Sequence, residues 1–173
     1  MQETPEELEA LQRLLDASIG ASGGHVTAIV TAERRLSAPQ VVAALTGMKV
    51  LVVATVTAAG EPRTSCVDGH FLHGTWMFGT AARAVKARHL RARPAVSVTH
   101  VDGERMAVFT HGHAEYITVR DPGFQPFDEH FIAHYGSSPR DWGPDPVFVR
   151  VRPTWMVGFA MNAAEFPGTA SGG

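Results

Sequence analysis

"VLVVATVTAAGEPRTSCVDGHFLHGTWMFGT", residues 50–80, is the stretch whose reading decides the fold. It is rich in β-branched residues and broken at short intervals by turn formers, the pattern of consecutive antiparallel strands. Residues 50–57, 62–68 and 75–79 read as strands. Ala59-Gly60-Glu61 makes the first turn, and a turn or loop spans Asp68 to Gly74.

The pattern then changes period. Residues 81–92 have a helical spacing that ends at Pro94. "AVSVTHV" (95–101) is a strand with a turn at Asp102-Gly103, and "RMAVFTHGHAEYITV" (105–119) is a long strand. "FQPFDEHFIAHYG" (124–136) puts Phe124, Phe127, Phe131 and Tyr135 on one side of a helix. "SSPRDWGPDP" is a loop, and "VFVRVRPTWMVGF" (147–159) is the last strand. Upstream, residues 4–17 carry a helix signature: Thr4 as cap, Pro5 in the first turn and Glu7 completing a capping box. Gly20–Gly24 is a break, and a second helix starts near Ser37. "GTASGG" at the end reads as a flexible tail. About six antiparallel strands, mainly β with flanking helices, predict a closed or partly closed barrel. The division is a helical extension over 1–36, the barrel over 37–161 and the tail over 162–173.

At 173 residues this is one domain with a sizeable core. Fifteen Lys and Arg against 17 Asp and Glu argue against nucleic acid as a partner. The single cysteine, Cys66, permits no intrachain disulfide and suits a reducing, cytoplasmic compartment. The acidic start "MQETPEELEALQRLLDASIG" is no secretory signal, and no apolar run is long enough to span a membrane.

Against this near-neutral background, residues 83–93 concentrate Arg83, Lys86, Arg88, His89, Arg91 and Arg93. A helix that opens just after a strand presents unpaired N–H groups and the positive end of its dipole, which suits an anion. Thr80 stands where a cap or hydroxyl donor would, and Arg83 and Lys86, three apart, share a face near that end. Arg88, Arg91 and Arg93 read more simply as a solvated face. By spacing alone, Arg83 and Lys86 suit a phosphate or the solvent equally.

The order of "ATVTAAGEPRTSCVDG" (54–69), "TWMFGTAARAVKARHLRARPAVSVTHVDG" (75–103) and "VFTHGHAEYI" (108–117) resembles the pyridoxamine 5′-phosphate oxidase-like superfamily over roughly residues 38–160. The resemblance implies a split β-barrel, an obligate homodimer and two cofactor sites at the subunit interface. It implies FMN, or the deazaflavin F420, as cofactor. It places Arg63, Thr64 and Ser65 beside the ring and its side chain, Phe78, Gly79 and Thr80 along the next strand, and Arg83 and Lys86 on the phosphate. "KARHL" falls where the family's phosphate-binding lysine helix falls. Trp155, on the last strand, stands where relatives send a side chain toward the partner's cofactor.

Two departures matter. The arginine–histidine motif with which pyridoxamine phosphate oxidases grip substrate is missing after "RVRPTWMVGF", and Ala107 stands where they carry a flavin-contacting glutamine. A vitamin B6 oxidase is therefore not expected. An oxidoreductase moving a hydride to or from a small organic substrate is, with a non-catalytic flavin- or haem-binding protein as the rival.

His111 and His113 lie on one strand face, and His70 and His73 on a neighbouring segment, but no third ligand stands at metal-site spacing, so no metal is expected. Some split barrels of this type bind haem, and those four histidines would be its candidate ligands. Cys66 reads as buried packing, and Trp76 and Trp142 as core or interface aromatics. His70, His73 and Tyr116 have general-acid chemistry without supporting spacing, so the catalytic group stays unassigned.

Overall fold

The computed structural model describes residues 3–142, 146–166 and 168. Six antiparallel strands close into a barrel: β1 (Met48–Val56), β2 (Pro62–Leu72), β3 (Thr75–Ala81), β4 (Ala95–Asp102), β5 (Met106–Thr118) and β6 (Pro146–Ala160). The order around it is β1-β2-β3-β6-β5-β4, and β4 returns to β1 through Val52 opposite Thr99. Among the described residues five α-helices flank it: α1 (Pro5–Gly20), α2 (Gly24–Ile29), α3 (Ala38–Ala44), α4 (Val85–Ala92) and α5 (Gln125–Tyr135).

The barrel is filled by alternate residues of its strands. Leu51, Val53, Trp76, Phe78, Val98, Val108, Val149 and Val151 form one apolar cluster with Leu11 and Leu15 of α1 and with Leu36, Val41 and Leu45 around α3. α1 carries the expected capping box: Thr4 Oγ1 accepts from Glu7 N, and the Glu7 carboxylate accepts from Thr4 N. Its far end is pinned by Ser18, whose hydroxyl donates to Leu14 O and accepts from Met156 N of β6. Leu72, Met77, Ile117 and Phe148 make a second cluster on the outer wall, covered by Phe124, Phe127 and Phe131 at α5. Among the described residues no helix is long and apolar enough to cross a membrane.

Three local expectations are corrected. The loop expected from Asp68 is strand: β2 continues to Leu72, and only His73 and Gly74 turn the chain. Both have positive φ, 52° and 68°, the geometry a two-residue hairpin of this type demands. Gly69 permits that continuation, because a Cβ there would sit 2.8 Å from Leu51 Cβ across the ladder. The helix after β3 begins at Val85 rather than at 81; Ala84 is its N-cap and makes no side-chain cap bond, so Thr80 belongs to β3 and caps nothing. The break expected over Gly20–Gly24 is present between α1 and α2, and α2 is a helix that the small, polar sequence GHVTAI does not announce. Residues 162–166, expected as flexible tail, are anchored: Phe166 is buried under the Arg105 guanidinium, and Ala163 O accepts from Gln40 Nε2. Of the remaining tail residues, 167 and 169–173 lie outside the described residues, as do 143–145 of the expected loop.

Candidate functional site

β3 runs out at Ala81, and a short turn closed by Ala84 N donating to Ala81 O hands the chain to α4. That turn, the start of α4, the outer face of β2 and the aromatic side of α5 enclose a cavity of about 860 Å³. Gly79, Thr80, Arg83 and Lys86 line one wall, and Phe131, Tyr135, Trp142 and Phe148 line the other. Asp68 and His70 lie on the β2 side. A smaller hollow of about 280 Å³ lies beside Arg63, Thr64, Ser65 and His89. Lys86 lines both hollows, so the two sets of sequence-expected residues meet at its side chain.

The basic segment divides by what each charge already does. Arg91 Nη1 donates to Ala82 O, and its guanidinium lies 4.9 Å from the Tyr116 ring. Arg93 Nε donates to Val56 O. Arg88 and Arg91 are exposed, as a solvated face would be, but Arg91 and Arg93 also tie the segment to neighbouring carbonyls. His89 Nδ1 faces Thr55 Oγ1 at 3.0 Å. Arg83 and Lys86 have no hydrogen bond or ion pair among the described residues. Two unpaired cations therefore face the cavity beside a helix start without a side-chain cap, which is the composition of an anion site. Arg63 differs: its guanidinium is 2.7 Å from the Glu61 carboxylate and also donates to Pro62 O.

Phe78 and Trp155 line neither hollow. Phe78 is wholly buried in the barrel, so its side chain is withdrawn from the site. Trp155 stacks on His111, ring centres 4.7 Å apart, and its indole N–H donates to Ser18 O. Cys66 is exposed at the cavity edge, a correction to the packing reading: residues of β2 paired opposite outward-facing Val52 themselves face outward. Trp76 is a core aromatic whose Nε1 donates to Thr110 Oγ1, whereas Trp142 is partly exposed on the cavity wall. Ala107 is buried away from both hollows. His111 and His113 are both exposed and His111 shares a bond with Ser97 Oγ; His73 faces the Glu7 carboxylate. Among the described residues no three His, Cys, Asp or Glu side chains are placed to hold a metal.

One constellation escaped the sequence reading. His70, 1% exposed, has Nδ1 2.9 Å from His130 Nε2 and Nε2 2.9 Å from the Tyr135 hydroxyl. His134 completes a ring cluster, 5.0 Å from His70 centre to centre. The available signal was the four-residue spacing of His130 and His134 on an expected helix; nothing local ties either to His70, sixty residues earlier. Burial, reinforced by the neighbouring His130 and His134, pushes the His70 value down from 6.5 to about 4. The His130 value is lowered by the same two causes, burial and His134. Burial and then the Asp68 charge push the Tyr135 phenol up.

This has a measurable consequence for stability. His70 is held neutral in the folded state, so below pH 6.5 the unfolded chain binds a proton that the folded chain refuses. Its contribution is complete above about pH 6.5 and is lost as pH falls toward 4. Asp128, held low by Ser138 and then by Arg140, loses its contribution only below the ordinary carboxylate range, outside that window. We expect the melting temperature to fall steadily from pH 6.5 to 4.5. A flat profile over that interval would contradict the neutral His70.

A family model described as pyridoxamine 5′-phosphate oxidase matches residues 37–158. Among solved structures, a conserved hypothetical protein of Mycobacterium tuberculosis is 19% identical with a TM-score of 0.65, covering 83% of this chain and 96% of its own. A protein of Mesorhizobium loti described as FAD-binding is 19% identical with a TM-score of 0.57, over 73% and 94% of the two chains. A protein described as an F420 reductase is 24% identical with a TM-score of 0.51, over 65% and 91%. At these identities the likeness shows the fold. No curated protein matches the chain.

Proposed function

The chain belongs to the pyridoxamine 5′-phosphate oxidase family, and from that premise we propose that it is an FMN-dependent oxidoreductase moving a hydride to or from a small organic substrate. The observation that carries this reading is the pair of cations, Arg83 and Lys86, unpaired among the described residues and beside the start of α4, which has no side-chain cap; Lys86 also lines the second hollow. A phosphate monoester fits there by charge and by donor chemistry. The hydroxyls of Thr64, Ser65 and Thr80 supply further polar contacts along β2 and β3. The larger cavity is of the size that cofactor sites have. On its aromatic wall the partly exposed rings of Tyr135 and Trp142, backed by buried Phe131 and Phe148, offer surface for a ring and a small substrate. The cofactor, when bound, supplies the redox chemistry; the chain binds, orients and shields it from water. Substrate phosphate is not part of this proposal, because the arginine–histidine grip is absent from the sequence.

The second copy implied by the family resemblance has a surface to sit on. Val50, Val52, Val101 and Phe109 are 56, 37, 53 and 40% exposed on the adjoining outer faces of β1, β4 and β5. That apolar face reaches the cavity edge, since Val52 pairs with Cys66. A copy docked there adds a wall to the cavity and brings Trp155, beside His111 on the same side, within the interface.

One experiment tests both parts. The purified protein is titrated with FMN, F420 and haem while its mass is followed by light scattering. We expect the mass of two chains and saturable FMN uptake with a perturbed flavin band. Uptake of F420 with FMN ignored would move the protein to deazaflavin chemistry, and a Soret band to haem. No uptake of any would overturn the cofactor reading, and a cofactor-binding monomer would overturn the dimer.

A further inference from the structure

We propose that Tyr135 is the proton donor to substrate in the cavity and that His70 and His130 form the relay that reprotonates it; this rests on the oxidoreductase reading above. Reduction of an electron-poor double bond needs a hydride and a proton. A reduced flavin, when bound, would supply the hydride, and the chain must supply the proton.

The geometry is a continuous chain of hydrogen-bonding groups. Tyr135 lines the cavity. Its hydroxyl is 2.9 Å from His70 Nε2, and His70 Nδ1 is 2.9 Å from His130 Nε2. His70 is buried between β2 and α5 with its ring edge-on to Phe131, so it holds one orientation. His130 is only partly buried, so its ring keeps some contact with solvent. Both His70 nitrogens are engaged, and burial keeps that ring neutral, so one nitrogen donates while the other accepts. With Nε2–H donating to the phenol oxygen, the phenol O–H is free to point into the cavity.

The protons and electrons then balance. Hydride forms the new C–H bond at one end of the double bond, and the displaced π pair takes the proton from the Tyr135 hydroxyl at the other. The phenolate takes the proton from His70 Nε2, His70 Nδ1 takes one from His130 Nε2, and water resupplies His130. Each ring ends neutral but in the opposite tautomer, and exchange with water restores the starting tautomers before the next turnover. Among the described residues, two further charged or titratable groups face the cluster. Asp68 disfavours the phenolate, and so favours its rapid reprotonation, while His134 flanks His70 and His130.

The test uses the full chain labelled with ¹⁵N-histidine, and its first readout needs no cofactor. In Tyr135→Phe we expect the ring-nitrogen signals of His70 and also of His130 to move, although His130 has no bond to Tyr135, because the tautomers along a relay change together. Movement confined to His70, or none, would overturn the relay. The second readout is turnover of the cofactor-loaded protein with 2-cyclohexen-1-one as acceptor. Tyr135→Phe is expected to lose roughly 100-fold or more in kcat with an unchanged cofactor Kd. His130→Gln, which leaves the buried ring in place should a His70 variant fail to fold, is expected to lower kcat less and to shift its pH profile. Wild-type turnover by Tyr135→Phe would overturn the donor role while leaving the cofactor reading intact. Absence of cofactor binding by wild type would overturn that reading instead, and the ring spectra alone would then decide the relay.

Discussion

Replacing Lys86 with alanine is expected to weaken FMN binding by about 1.5–3 kcal/mol, roughly 10- to 150-fold in Kd, with little change in folding stability. The argument runs through position and charge. Lys86 sits in the first turn of α4, is half-buried, and lines both hollows. It has no ion-pair partner among the described residues, so removing it strands no buried carboxylate among them. The loss therefore falls on the complex. Arg88→Ala is the control: Arg88 is exposed and lines neither hollow, although it belongs to the same basic segment. Isothermal titration of the three proteins separates a local phosphate contact from a general field. Equal affinity for Lys86→Ala and wild type would sink the assignment; equal losses in both variants would reduce it to net charge, which added salt would screen.

Gly112→Ala should be the most damaging small substitution in the barrel. Between His111 and Gly112 the pairing of β5 with β6 slips by one residue: His111 faces Trp155, Gly112 faces Pro153, and Thr154 is left over. At that bulge the strands approach so closely that a Cβ on Gly112 would lie 2.0 Å from Arg152 O and 3.0 Å from Pro153 Cα. Both obstacles are backbone, so no rotamer change relieves them, and relief requires the longest ladder of the barrel to separate. We expect a cost of about 3–5 kcal/mol, or failure to accumulate as folded protein. Gly20→Ala, where an added Cβ meets nothing within 4 Å, is the matched control and should be close to neutral. Melting curves of the two variants decide it: a Gly112→Ala protein as stable as wild type would mean that the bulge is open.

The barrel was legible because strand periodicity and turn chemistry are local. The stretch from Val50 to Thr80 announces three strands without any knowledge of the rest of the chain. The exceptions are instructive. β2 was cut short because Asp68, Gly69 and His70 lack β propensity; the ladder to β3 and the fit of Gly69 over Leu51 outweigh that. The spacing predicts α4 four residues early because Ala81–Ala84 favour helix, while pairing of Ala81 with Pro146 keeps the first of them in the sheet. Cys66 was read as packing because residue type says nothing about which face of a closed sheet a position occupies.

Residue pattern by itself determined the strand series, the capping of α1 and the presence of a basic segment, for these depend on interactions within a few residues. The tertiary structure decided which charges in that segment are available. Arg91 and Arg93 are spent on the carbonyls of Ala82 and Val56, Arg63 on Glu61, and Arg83 and Lys86 are left facing the cavity. It also decided that His70 of β2 meets His130 and Tyr135 of α5. Partners sixty residues apart become neighbours only when closure of the sheet and burial of Phe127 and Phe131 press the helix against the wall. No spacing rule along the chain encodes that contact.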